Sequence, residues 1–416
     1  MLAALTAAPP THATTIYSNL QDITIPTNFA GVYLDIDTGA TGTSSFTGWD
    51  INPFFGGSAI GNSAAFQPVR IGTSNLDRVL NLTPGTVIAG SLTYASGFGG
   101  SGNSGHEHMG VGGDQFQVGS EGYLGFKFTL NGGGGAKYGW MRVTLTNNAA
   151  GALIRDWGYD DAGGTSAVGR VQQSAAVANA QTVTLSPGTG ESFTLGSAIT
   201  NTGGNTNSVL KTGAGSTNIA TTNNFTGTTT VTNGTLEVSG ALTATSQVTV
   251  NTGGTLLLSS AATDIVNNGA AFDLNGGRIT LGGASSLDET VGTLTLSANS
   301  IIDFGTLGHT FRFADSSGGA LETAWTGTAL SIWNWTPGSD HLFFGDGTGT
   351  GLQQSQLDKV KFYSDAGTTV LPWAPGFSGF TGGGEVIPVP EPGAVATTLG
   401  LLGLIAWRER RKAARR

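Results

Sequence analysis

Apolar and polar residues alternate along most of this chain, with the period of strands rather than helices. The pattern is clearest in two neighbouring runs. In Tyr123 to Leu130, Leu124, Phe126, Phe128 and Leu130 share one face; in Tyr138 to Leu145, Met141, Val143 and Leu145 do. Asn131 and four glycines separate the runs, which predicts a hairpin. Earlier runs, Ile23 to Ile25 and Val32 to Asp37, lead into turns, and Asn81 to Ile88 turns at Pro84-Gly85. Strands at such short intervals predict an antiparallel β-sandwich or jelly-roll-like domain over residues 14–171.

From about Asn207 the alternation becomes periodic on a longer scale. The inward positions are Val231 with Leu236 and Val238, then Val248 and Val250 with Leu256 and Leu258. Phe272 and Leu274 with Ile279 and Leu281 follow, then Leu294 and Leu296 with Ile302 and Phe304. A spacing of about 20 to 23 residues is one rung of a solenoid, and a rung buries its apolar row only when neighbours stack on it. The predicted order is connecting strands over 172–206, β-solenoid repeats over 207–305, a solenoid cap over 306–375 and a glycine-rich linker over 376–385. Trp325, Trp333, Trp335, Phe343 and Phe344 supply the cap's bulk, and Gln353 to Val360 reads as a short helix before a strand around Lys361 to Tyr363. The fold class is therefore all-β.

Composition narrows the compartment. With 68 glycines and 11% charged residues yet 38% hydrophobic ones, the chain suits many short strands and tight turns rather than disorder. It has no cysteine, which excludes disulfides and thiolate chemistry. The net charge is −9, and the basic C-terminus carries about +5 of it, so the remainder is strongly acidic. An acidic body argues against nucleic acid and can attract cations.

The last thirty residues hold three segments in order. Pro390-Glu391-Pro392 closes a proline-spaced stretch, and an apolar run follows with Ala394, Leu399, Leu401, Leu402, Leu404, Ile405 and Trp407. Arg408, Arg410, Arg411, Lys412, Arg415 and Arg416 come last, against the single acid Glu409. The apolar run predicts one transmembrane helix, short for a bilayer at about 21 Å, with the basic cluster cytoplasmic and everything before it outside. The arrangement over 386–416 resembles the PEP-CTERM sorting signal of bacterial exported proteins. That resemblance implies an exosortase-type membrane enzyme as partner. It also implies transient anchoring in the inner membrane, then a place at the cell surface or outside the cell. Leu2 to Ala8, with Thr11-His12-Ala13, reads as the remnant of a signal peptide over 1–13 whose start lies upstream of Met1.

Two further resemblances fit export. GVYLDIDTGATG, WDINPFFGG, EGYLGFKF, YGWMRVTLTNN and IRDWGYDD resemble an uncharacterised N-terminal domain of other PEP-CTERM proteins. Val209 to Gly240 resembles the autotransporter-associated β-strand repeat, which implies a right-handed β-helix stalk. No outer-membrane barrel pattern follows it, so a separate export route is implied.

Candidate chemistry is sparse, and no cofactor is required. His106-Glu107-His108 could place two imidazoles on one strand face, but it sits in a glycine-rich stretch without a third ligand and reads as a solvated loop. Asp35 and Asp37 alternate at a strand end, and Asp156, Asp160 and Asp161 cluster near a turn. Aspartate is common in turns, which is the plainer reading; calcium, an oxygen-seeking cation, is the alternative for either group. Asp340-His341 and Asp346 have no identifiable serine partner, Gly345 to Gly349 lacks a phosphate-binding lysine, and two placed glycosidase carboxylates are not legible. The expected function is a non-enzymatic structural protein of the cell surface or extracellular matrix. The alternative is a carbohydrate-binding, lectin-like module of the extracellular polysaccharide, assisted by calcium.

Overall fold

The computed structural model describes residues 13–97, 99–100, 115–169, 171–173, 180–201, 206–260, 262–345, 351–371, 378–380 and 384–388. The protein is all-β and contains a β-solenoid of about six turns. Two compact units meet at Thr226/Gly227, inside the repeat region that the sequence assigns to one domain.

In the first unit, strands Gln67–Pro68, Glu121–Phe128, Lys137–Thr144, Leu153–Asp160 and Ala13–Tyr17 lie side by side, all antiparallel. The expected hairpin forms, with Leu124 opposite Met141 and Phe128 opposite Lys137. Leu124, Phe126, Phe128, Met141 and Val143 project from one face into an apolar core. That core also takes Leu34, Ile51 and Ile60 from a second antiparallel sheet, and Leu130 packs against its margin. The opposite face, where simple alternation predicts solvent, is buried as well: Tyr17, Trp140, Arg142 and Asp156 lie there. A Cβ on Gly125 would come within 2.5 Å of Leu82 and 3.0 Å of Val69, so chain around 69–82 packs directly on this face.

Ala13–Tyr17 has a second neighbour. Its other edge pairs in parallel with Ser192–Leu195, which pairs in parallel with Ser216–Ile219. Ala180–Leu185 and Thr206–Lys211 form another parallel pair, Val183 opposite Val209. The stretch expected to connect two domains thus already forms rungs, and the first strand belongs to both architectures.

The second unit stacks its strands in register. Val231, Val250, Leu274 and Leu296 make one inward column; Leu236, Leu256, Ile279, Ile302, Ile332 and Phe362 make another. All are buried. Each such side chain gains about 1.5–3 kcal/mol over an exposed position, and gains it only because the next rung covers it. A third parallel sheet joins Asp288–Val291, Thr310–Phe313 and His341–Phe344, with Val291, Phe313 and Phe344 in one buried column. The region 306–375 therefore adds rungs as well as covering elements. Helix Gly319–Ala324 lies beside Leu294–Ala298, and the expected short helix is Gln354–Leu357, held by a capping box between Gln353 and Gln356.

No described helix is long and apolar enough to cross a membrane. The expected transmembrane helix, the Pro390-Glu391-Pro392 motif, the basic cluster and residues 1–12 lie outside the described residues, as do His106, His108 and Asp346.

Candidate metal centre

Three carboxylates converge in the first unit: Asp35, Asp37 and Asp50, with oxygens all within 4.8 Å of one another. The local backbone explains their convergence. Tyr33–Leu34 and Thr41–Gly42 form a small hairpin, and Asp35 Oδ1 closes its turn by accepting the N–H groups of Asp37 (2.9 Å) and Thr38 (3.2 Å). Gly39, at φ +71°, donates its N–H to the Asp35 carbonyl, a left-handed conformation that glycine adopts without strain. Asp50 comes from the neighbouring strand's approach: its N–H donates to the Leu34 carbonyl, and its Oδ2 accepts the Ile36 N–H at 2.8 Å.

Asn131, in the long hairpin's glycine-rich loop, closes the site from the other side. Its backbone N–H donates to Asp37 Oδ2 at 2.6 Å and its Nδ2 to Asp35 Oδ2 at 2.8 Å. Gly48 leaves room for that amide, which a Cβ there would meet at 2.8 Å.

The electrostatics are those of crowded like charges in a dry place. Asp35 and Asp50 are buried and Asp37 is half-buried; none of the three joins an ion pair among the described residues. Burial pushes the Asp50 carboxyl up to about 7; the Ile36 N–H pulls against this, and the charges of Asp35 and Asp37 add to the rise. Asp37 is raised too, by burial first. The Tyr159 phenol is pushed up to about 12 by burial and by the same acids, among others.

Two oxygens that both sit about 2.4 Å from one ion can be no more than about 4.8 Å apart, so this trio meets the spacing calcium needs. Asp37 Oδ1 is buried without a hydrogen-bond donor, an oxygen free to take a cation. The residues fit calcium. They equally fit a turn built by aspartates, because Asp35 and Asp50 already accept backbone N–H groups.

The other predicted acids do not come together. Asp156 is fully buried and held by Arg142, whose Nε and Nη2 donate to its two oxygens at 2.9 and 2.7 Å, with the Tyr17 hydroxyl donating at 2.8 Å. Asp160 lies four positions further along the strand, about 13 Å away, too far to share an ion. Asp160 instead accepts the Gly164 N–H at 3.2 Å. The next residue, Asp161, uses its backbone carbonyl to accept from Lys137 Nζ. Sequence reading missed Asp50; the available signal was an acid immediately before a strand, Ile51–Phe54, that pairs with the strand leading into Asp35. Asp340 is occupied as well, its carboxylate accepting the N–H groups of His309 (3.0 Å) and Thr336 (2.6 Å).

If calcium binds here, a hundredfold excess over Kd should raise the unfolding free energy at pH 8 by about 2.7 kcal/mol, read as a higher melting temperature. Asp50→Asn should abolish that rise, and it should shrink below about pH 7 as Asp50 takes a proton. Identical melting in calcium and in chelator at pH 8 would remove calcium from the site.

No known protein family's profile matches this chain, and neither a curated protein nor a solved structure matches it.

Proposed function

We propose that this is an exported, non-enzymatic structural protein of the cell surface or extracellular matrix, anchored briefly in the inner membrane and processed at its C-terminus by an exosortase-type enzyme. The observation that carries the reading is the order of the last segments: Pro390-Glu391-Pro392, an apolar run, then six basic residues. A stacked β body supports it, since each rung is held by the apolar columns of its neighbours with few charges. The finer fold reading is a sandwich or jelly-roll-like head on a right-handed stalk. The head reading is favoured by the two antiparallel sheets that share one apolar core.

A second reading, a calcium-assisted carbohydrate-binding module, is favoured by the Asp35, Asp37 and Asp50 trio. A glycan array run with and without calcium separates the two, because a purely structural protein binds no glycan in either condition.

Glu391→Ala, and separately deletion of 408–416, tests the first reading. The wild-type chain is expected outside the cytoplasm in a form shortened at its C-terminus, and both variants are expected full-length in the membrane fraction. An uncut wild-type chain in the cytoplasm would sink the proposal.

A further inference from the structure

The residues just before the proline motif are docked on the second unit. Gly384 accepts the Phe344 N–H at 3.1 Å, and Glu385 bridges antiparallel to Phe343, so this segment lies along the free edge of strand His341–Phe344. His341 Nδ1 meets Glu385 Oε1 at 2.7 Å. Val386 is fully buried, and Val386–Pro388 pairs antiparallel with Ser378–Phe380. Between this segment and the body lies a half-enclosed cavity of about 380 Å³, walled by Trp335, Pro337 and His341 on one side and by Glu385, Ile387 and Pro388 on the other. A stretch expected to be glycine-rich linker running into signal therefore ends in a strand held by a side-chain hydrogen bond, a backbone hydrogen bond and a buried side chain.

Pro390 lies two positions beyond Pro388. An enzyme that cuts at this motif must bind chain on both sides of the scissile bond, and the chain on the N-terminal side is already engaged. When opening is fast relative to cutting, the rate of cutting follows the population of the open form.

We propose that Gly384–Pro388 is a docked strap that restrains cutting at Pro390-Glu391-Pro392, and that its release from the His341–Phe344 edge sets the rate of processing. This rests on the processing reading above. The strap supplies no chemical group to the cut, which remains the enzyme's; it controls access alone.

The absence of cysteine makes the test clean. Antiparallel partners lie about 4.5–5.5 Å apart at Cα, within disulfide range, so the pair Phe343→Cys and Glu385→Cys in the full chain can lock the strap. Membranes containing the processing activity should cut the oxidised chain at least tenfold more slowly than wild type, and added reductant should bring the rate to wild type or above, since the reduced variant lacks the His341–Glu385 contact. Val386→Ala should loosen the strap: amides 384–387 should exchange hydrogen about tenfold faster, and cutting should speed up by a similar factor. A locked chain cut at the wild-type rate, or faster exchange without faster cutting, overturns the strap alone. A wild-type chain never cut at its C-terminus overturns the processing reading, and this one with it.

Discussion

Arg142→Met is expected to destabilise the protein by about 3–5 kcal/mol, because it leaves the Asp156 carboxylate buried without its partner. Burial alone would lower the pKa of Arg142, and the charges of Asp156 and Glu121 more than reverse this, so the guanidinium stays charged. Glu121 adds a weaker contact to Arg142 Nη1 at 3.3 Å, and the Tyr17 hydroxyl ties the network to the first strand. For a unit of this size the loss should lower the melting temperature by about 10 °C. Arg142→Met with Asp156→Leu should recover part of it, since an apolar pair of similar volume avoids both desolvation costs. A single Arg142→Met variant melting within 2 °C of wild type would show that the pair does not hold this face together.

Mild acid should stabilise this protein in chelator. Glu289 is fully buried in the solenoid column above Phe311 and Leu342. Its oxygens accept the N–H groups of Ile265 and Val266, each at 2.8 Å, where Val266 forms an isolated bridge to Leu242. Burial pushes its carboxyl from an ordinary 4.5 up to about 7, against those two donors. Asp50 moves the same way, to about 7. The folded chain therefore holds both protons more tightly than the unfolded chain between about pH 4 and 7. Stability is greatest below this window and falls as pH rises through it, by about 3 kcal/mol for Glu289 alone. His309 works against the trend: burial lowers its pKa, and its Nδ1 accepts the Leu287 N–H, so protonation at low pH costs stability. Melting temperatures from pH 5 to 8 should fall in wild type, and Glu289→Gln should flatten the slope. A profile as steep in Glu289→Gln as in wild type would rule out Glu289 as its source.

The inward columns were legible because period-2 alternation and a near-constant repeat both survive in the sequence. Leu236, Leu256, Ile279 and Ile302 follow at 20 to 23 residues, and each lies in the predicted register. The same column continues to Ile332 and Phe362, but there the spacing widens to 30, lengthened by helix Gly319–Ala324 and then helix Gln354–Leu357. A fixed period cannot see through such insertions, so these rungs read as a cap. At the other end, Ala180–Leu185 offers only Val183 and Leu185 among polar residues, too little signal to mark a rung. The second buried face of the first unit was hidden for a different reason. Arg142 and Asp156 look like solvent-facing residues until Trp140 and Tyr17 are placed beside them, and that placement needs strands far apart in sequence. Asp35 and Asp37 could be found by alternation; Asp50 could not, because only strand pairing brings it to them.

The strand Ala13–Tyr17 imposes an order of events on a chain that emerges N-terminus first. Its partner on one side ends at Asp160, and on the other side Ala13 waits for Phe193, about 180 residues later. At ordinary synthesis speeds that is a delay of about 10 to 35 seconds, and the neighbour Leu153–Asp160 arrives only in its last part. Anything that carries this polypeptide unfolded, a ribosome exit or an export channel, must shelter that segment until the first rung arrives.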